Sequence, residues 1–205
     1  FNQVSFLKET VQSIHSQKVD LEVEHIIVDG GSTDGSVEFL KLPGNPFRWV
    51  SEADCGQADA VNKGIRMATG EIIGWLNSDD LYLPGALQAV ADHFRKHPEC
   101  RWLYGRCLII DKSGKERWKW ITSYKNARLK KFTYSKLLNE NFISQPAVFF
   151  RKDLFNESAP LNLDLHYAMD YDLWLRFGKI TPAGVVCRDL ASFRRHGSSK
   201  SEKGF

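Results

Sequence analysis

Apolar residues recur at helical spacing at the start of the chain: Leu7, Val11 and Ile14 share one face, so residues 4–17 predict an amphipathic helix. The run "VEHIIVD" is short, β-branched and closed by Asp29, the pattern of a buried strand. Glycines make "GGSTDGS" a loop, a short helix over 37–41 follows, and "LPGNP" is another loop. "FRWVSE" predicts a second strand. In "QADAVNKGIRMATG", Ala58, Val61, Ile65 and Ala68 line one helical face, and Gly70 suits the C-terminal cap. "EIIGWLN" predicts a third strand. Pro84 fits the first turn of the next helix, whose buried stripe is Leu87, Val90 and Phe94.

Strands and helices thus alternate to about Pro98, which predicts an α/β fold: a mostly parallel sheet flanked by helices. The pattern then changes. "RWLYGRCLIIDKSGKERWKWIT" reads as a hairpin turning at "KSGK". Polar helical turns follow, then a strand in "QPAVFFRK", a helix carrying "DYDLWLRF", and a last strand in "AGVVCRDLASFRRH". Trp174 and Phe177 share the inner face of that helix. Residues 99–205 read as a smaller mixed region built against the sheet of residues 1–98, within one domain.

The chain has 205 residues, 42% hydrophobic and 26% charged, enough for one real core. No apolar stretch reaches the roughly 18 residues of a membrane span. Cys55, Cys100, Cys107 and Cys187 are far apart, which argues against a zinc site or a disulfide framework and for a reducing, cytoplasmic setting. A net charge of +3 does not by itself imply nucleic acid.

Ligands of open α/β sheets bind beyond the carboxyl ends of the strands. Acids stand at three such ends: Asp29 after "HIIV", Glu52 and Asp54 after "FRWVS", Asp79 and Asp80 after "IIGWLNS". One acid there is ordinary capping; three in consecutive strands point to a shared ligand site. "DGGSTDGS" lacks both the dinucleotide glycine pattern and a Walker lysine, so it suits a nucleobase or ribose better than a phosphate cradle. Asp29 can accept from a base N–H and Ser32 can add polar contacts, whereas Asp34 reads as turn and capping chemistry. Asp79 is the best metal candidate, since Mg²⁺ and Mn²⁺ prefer carboxylate oxygens and keep places for substrate phosphates. Successive side chains diverge, so Asp80 is left to orient a substrate hydroxyl or cap the next helix.

"DGGSTDGS", "SEADCGQADAVNKGI", "GWLNSDD", "YDLWLRF" and "RRHGSSKS", in that order and spacing, resemble the family 2 glycosyltransferases, inverting enzymes with a GT-A, Rossmann-like fold. The likeness spans nearly the whole chain. It implies a nucleotide-diphospho-sugar donor, typically UDP-linked, a divalent cation (Mn²⁺ or Mg²⁺), and a glycan or lipid-linked acceptor. On that resemblance Asp29, Gly31 and Ser32 meet the nucleoside, with Glu52, Asp54, Gln57, Asn62 and Lys63 beside it. Asn77 and Asp80 contact the donor, Asp79 and His196 hold the metal, and Asp170 is the general base. Arg194 and Arg195 become candidate diphosphate donors, on a tail that could close over the donor. Read from the residues alone, Asp170 would be an N-cap, Asp172 a solvent charge and His196 a surface residue.

Three departures stand out. Asn77 occupies the first acid position of the family's Asp-x-Asp, and Met169 precedes Asp170 where an acid is frequent. The chain opens at "FNQ", the tail of the stretch that ends the family's first strand, so that strand is expected to be missing. These departures favour, as the alternative, a non-catalytic nucleotide-binding protein of the same fold. Residues 112–136 are basic, with Glu116 their one acid, and carry Trp118, Trp120, Tyr124, Phe132 and Tyr134. The first reading is an exposed hairpin with snorkelling cations. The second is peripheral contact with an anionic membrane face, and a nucleic-acid partner is not expected.

Overall fold

The computed structural model describes residues 1–129 and 131–197. The helices are α1 (Val4–His15), α2 (Ser36–Leu40), α3 (Gln57–Met67), α4 (Ala86–Lys96), α5 (Lys119–Arg128), α6 (Tyr134–Asn139), α7 (Lys152–Ser158) and α8 (Met169–Ile180). The strands are β1 (Ile26–Asp29), β2 (Arg48–Ser51), β3 (Ile72–Gly74), β4 (Leu81–Tyr82), β5 (Trp102–Ile110), β6 (Val148–Arg151) and β7 (Gly184–Arg194), with a 3-10 turn at Gln145–Ala147.

β1 and β2 pair in parallel across α2, as a strand–helix–strand unit should. The larger sheet runs β3-β6-β5-β7-β4. Within it only β5 and β7 are parallel; β3 with β6, β5 with β6, and β4 with β7 are antiparallel. The α/β layering is as expected, but strand direction is more mixed than alternation of elements suggested. Alternation predicts parallel pairing only when a crossover returns to the neighbouring strand, and β3 and β4 pair instead with strands from the second half. That half is therefore not an addition against the sheet: β5, β6 and β7 are its centre.

Alternation along β5 and β6 divides the core. Trp102, Tyr104 and Phe150 face α8, where Trp174 and Phe177 are fully buried; Leu103 and Phe149 face Val90 and Phe94 of α4. Trp174 and Phe177 thus share the core, their rings 5.7 Å apart. A third cluster, Leu7, Val11, Ile27, Leu40 and Phe47, fixes α1 over β1. Pro84 lies in the turn before α4, which begins after Gly85 at φ +74°; Cβ there would also strike Arg188. Gly70 does not cap α3, which ends in extended Ala68. The hairpin is reduced to one bridge, Ile110 with Glu116, because Trp118 turns the chain at φ +49° and α5 begins. No helix among the described residues is long and apolar enough to cross a membrane.

Candidate active site

At the end of β1 the Asp29 carboxylate shapes its own loop. Oδ2 accepts from Gly31 N at 3.1 Å, Ser32 N at 2.8 Å and Ser51 Oγ at 2.7 Å, while Oδ1 accepts from Ser32 Oγ. Burial pushes the acid's pKa up, but the hydrogen bonds from Ser32 and Ser51 more than offset it, so the net shift is downward. Asp34 accepts from Ser36 N and Ser36 Oγ at the start of α2 and from Val4 N at the start of α1, so its reading as a capping residue agrees with the structure.

The β2 loop lies against the β1 loop. A Cβ on Gly30 would come within 2.6 Å of Asp54 Oδ2, so a side chain there would push the Asp54 carboxylate aside. Glu52 pairs with Lys63 at 2.5 Å on the exposed side. Gln57 reaches across to β3, donating to Asn77 Oδ1 at 2.7 Å. Asn62 is buried and clamps the backbone of Leu161 in both directions at 2.9 Å. Its amide ties α3 to a segment 99 residues away.

Beyond β3 the two acids diverge. Asp79 Oδ2 lies 3.1 Å from His196 Nε2 and 3.5 Å from Gln3 Nε2. His196 is buried, its ring 4.6 Å from that of Phe6, so it is not a surface residue. Asp80 is wholly buried, accepting from Arg194 N at 2.9 Å and Asn77 Nδ2 at 3.2 Å. Burial pushes its carboxyl well above the usual range, with the Asp79 charge adding to the shift. Asp80 is thus closed off from solvent, and the N-cap of α4 is Gly85. Thr10 of α1 fixes the loop by donating to the carbonyls of Ser78 and Asp80.

Arg194 is also reassigned. Its side chain is fully buried, donating to Glu9 at 2.5 Å and to the carbonyls of Asp79, Lys112 and Asp111 at 2.8, 3.2 and 3.4 Å. It is a buried strut between α1, the Asp79 loop and the turn after β5. Arg195 lies over the Trp118 ring at 4.8 Å. Ser198, Ser199, Lys200 and Ser201, the end of the "RRHGSSKS" motif and of the proposed closing tail, lie outside the described residues. Asp170 sits in the first turn of α8 and accepts from Tyr171 N at 2.8 Å, and the N-cap position belongs to Ala168. Asp172 is bound to Arg176 at 2.9 Å, not left to solvent.

The first residues tie these loops together. Asn2 N donates to Ser32 Oγ, Asn2 Oδ1 accepts from Thr33 N, and Gln3 Oε1 accepts from Ser78 Oγ. The β1, β2 and β3 loops therefore form one bonded surface. Sequence reasoning missed Gln3, Thr10, Trp75 and Gln145 as its members, because nothing local marks a polar residue whose partner is about 70 positions away. For a cation, Asp79 and His196 offer one carboxylate and one imidazole. Among the described residues no group of three or more His, Cys, Asp or Glu side chains could hold a metal ion. The carboxylate of that pair suits a hard ion whose shell phosphate and water would complete, and the imidazole is the softer donor.

A model of the glycosyl transferase family 2 matches residues 1–158. The chain belongs to that family. A Mycobacterium tuberculosis protein named an uncharacterised glycosyltransferase is 32% identical over 195 residues, 93% of this chain and 68% of the relative. A Mycobacterium bovis PGL/p-HBAD biosynthesis glycosyltransferase is 30% identical over 180 residues, 85% and 65% of the two chains. The fold matches Staphylococcus aureus TarS in complex with UDP-GlcNAc at TM-score 0.79 and 17% identity, over 100% of this chain and 59% of that one. It matches the mannosyltransferase PcManGT of Pyrobaculum calidifontis, in complex with GDP-Man and Mn²⁺, at TM-score 0.68 and 20% identity, over 92% and 52%.

Proposed function

We propose that this glycosyltransferase moves a sugar from a UDP-linked donor to a hydroxyl of a glycan or lipid-linked acceptor, with inversion. The observation that carries the reading is the joining of three acid-bearing strand ends, through Asn2, Gln3 and Gln57, into one surface that ends at the Asp79–His196 pair. The nucleoside lies along Asp29, Gly31, Ser32, Glu52 and Asp54, with Lys63 at the margin; residues 1–98 supply most of this side and 99–205 the acceptor side. The relatives solved with UDP-GlcNAc and GDP-Man support a nucleotide-sugar donor.

Asp79 and His196 would hold a Mn²⁺ or Mg²⁺ ion, which when bound neutralises charge on the departing diphosphate. Asp170 takes the proton of the acceptor hydroxyl. As that oxygen bonds to the anomeric carbon, the bond from carbon to diphosphate oxygen breaks and its electron pair leaves with the nucleotide. The N-terminal turn of α8 favours the ionised form that a base requires. Peripheral contact with an anionic membrane belongs to the same proposal and is supported by exposed Trp120 and Tyr124 among the cations of α5.

A thermal-shift series with UDP, GDP, TDP and their sugars, with and without Mn²⁺, tests the reading. A UDP species with Mn²⁺ at about 100 times its Kd should raise Tm by roughly 5–10 °C. No shift with any nucleotide would sink it. Binding without transfer or donor hydrolysis would identify a nucleotide-binding protein that has lost catalysis.

A further inference from the structure

Asn77 stands at the mouth of β3 with all four hydrogen-bonding positions of its amide in use. Oδ1 accepts from Gln57 Nε2 at 2.7 Å and Trp75 Nε1 at 3.1 Å; Nδ2 donates to Gln145 Oε1 at 3.0 Å and Asp80 Oδ2 at 3.2 Å. Its orientation is not arbitrary. An indole N–H can only donate, so Oδ1 must face Trp75. Gln145 is oriented the same way, because its Nε2 donates to the carbonyl of Trp75, which can only accept. Its Oε1 therefore faces position 77 and needs a donor there. A carboxylate at 77 would set oxygen against oxygen at Gln145, beside the buried Asp80.

We infer that Asn77 is a positioning residue: a neutral junction that holds the Gln57 end of the β2 loop against the Asp79 loop, where an amide is required and a carboxylate is excluded. The inference rests on the donor-binding reading above for its consequence, but not for its geometry. Changing Asn77 to the acid of an Asp-x-Asp motif then does not create a second metal ligand. It breaks the junction and spreads the two sides of the donor surface.

Two variants test this, Asn77→Asp and Gln57→Leu, each melted without ligand and titrated with Mn²⁺ by electron paramagnetic resonance, with and without UDP. Asn77→Asp should lower the ligand-free Tm by about 5 °C, as expected for buried polar groups left without partners. It should weaken UDP–Mn²⁺ binding about tenfold and leave binding of Mn²⁺ alone no tighter than in the wild type. Gln57→Leu cuts the bond from the start of α3 to Asn77 Oδ1 and leaves Trp75 Nε1 on that oxygen. It should keep Tm within about 2 °C and Mn²⁺ affinity unchanged while UDP affinity drops about fivefold, a split that a merely structural role would not produce. Tighter Mn²⁺ binding by Asn77→Asp with UDP affinity intact would overturn the inference, as would an unchanged UDP affinity in Gln57→Leu. If Asn77→Asp does not fold, Gln57→Leu still decides. If the wild type binds no nucleotide, the donor reading fails by itself, and an unchanged ligand-free Tm in Asn77→Asp separately overturns the junction.

Discussion

The mouth of β3 and the segment 112–136 both mix aromatic, charged and amide side chains, and they use them in opposite ways. At the mouth, Trp75, Asn77, Asp80 and Gln145 are packed so that the donors and acceptors they turn on one another match. In the segment, Trp120 is 74% exposed and Tyr124 is half-exposed with Arg128 over its ring. Its ion pairs, Arg117–Asp111, Lys119–Glu116 and Arg128–Glu140, are solvated and individually worth little. A buried polar network fixes geometry, since every unmatched atom costs a desolvation penalty. An open face tolerates many sequences and is selected for what docks on it.

The largest effect should come where the bonded network meets chemistry. Asp170→Asn keeps the shape of the α8 turn and removes the proton acceptor. A transfer rate about 10²–10⁴-fold lower, with UDP affinity within about twofold, is the expected result. A fully active variant would leave the network a nucleotide-binding core without this base.

Next in size is Arg194→Met, which keeps an apolar stem but removes the guanidinium from the Phe6 ring and strands three backbone carbonyls and the Glu9 pair. A loss of about 3 kcal/mol, read as a fall in Tm of roughly 6–12 °C, is expected. Arg194→Lys should recover only part of it, because one ammonium cannot reproduce a planar fork reaching four acceptors. A change under about 1 kcal/mol for Arg194→Met would show that this interior is as tolerant as the surface segment.

Much of this contrast was legible in the sequence, and its limits have a physical pattern. Leu7 and Val11 at helical spacing, and the β-branched run ending at Asp29, dictate α1 and β1 through local periodicity. The placing of Asp29, Asp54 and Asp79 in loops that bond to one another follows a general rule about strand ends. What the sequence hides has one cause: Asn62, Asp80 and Arg194 bond to buried partners 99 and 114 positions distant. Polar side chains carry no local sign of whether they will meet solvent, ligand or distant backbone. The "KSGK" turn is real, since Asp111 accepts from Ser113 and Lys115, but the returning strand gives way to α5, where buried Thr122 and Leu129 set a weak helical face.

A smaller, pH-dependent effect tests the half-buried His25 just before β1. Burial, then the neighbouring His15, lowers the His25 pKa to about 4 from an ordinary value of 6.5. His25 Nδ1 lies 3.1 Å from His15 Nε2, and its ring contacts Phe47, so the pair favours a neutral state. The unfolded chain then binds the extra proton first. Stability should fall as pH drops from about 6.5 to about 4, and not change with this group above 6.5. Urea melts across that window should show a shallower pH slope for His25→Phe than for the wild type; equal slopes would place the titration elsewhere.

The smallest effect on folding should come from Trp120→Ser on the open face. Removing a side chain that is 74% exposed changes few contacts, so stability should move by no more than about 0.5 kcal/mol. Its expected consequence lies outside the fold. An indole favours the interfacial layer of a membrane, and each nearby Lys or Arg adds about 1 kcal/mol of attraction to an anionic surface. Lys119, Lys125 and Arg128 lie on the same helix. Co-sedimentation with vesicles containing anionic lipid should therefore fall for Trp120→Ser while the melting curve and UDP affinity stay put. Neutral vesicles should bind neither protein well. Equal binding to anionic vesicles by both proteins would remove the membrane from the account of this face, and a large loss of stability would mean that Trp120 belongs with the bonded interior after all.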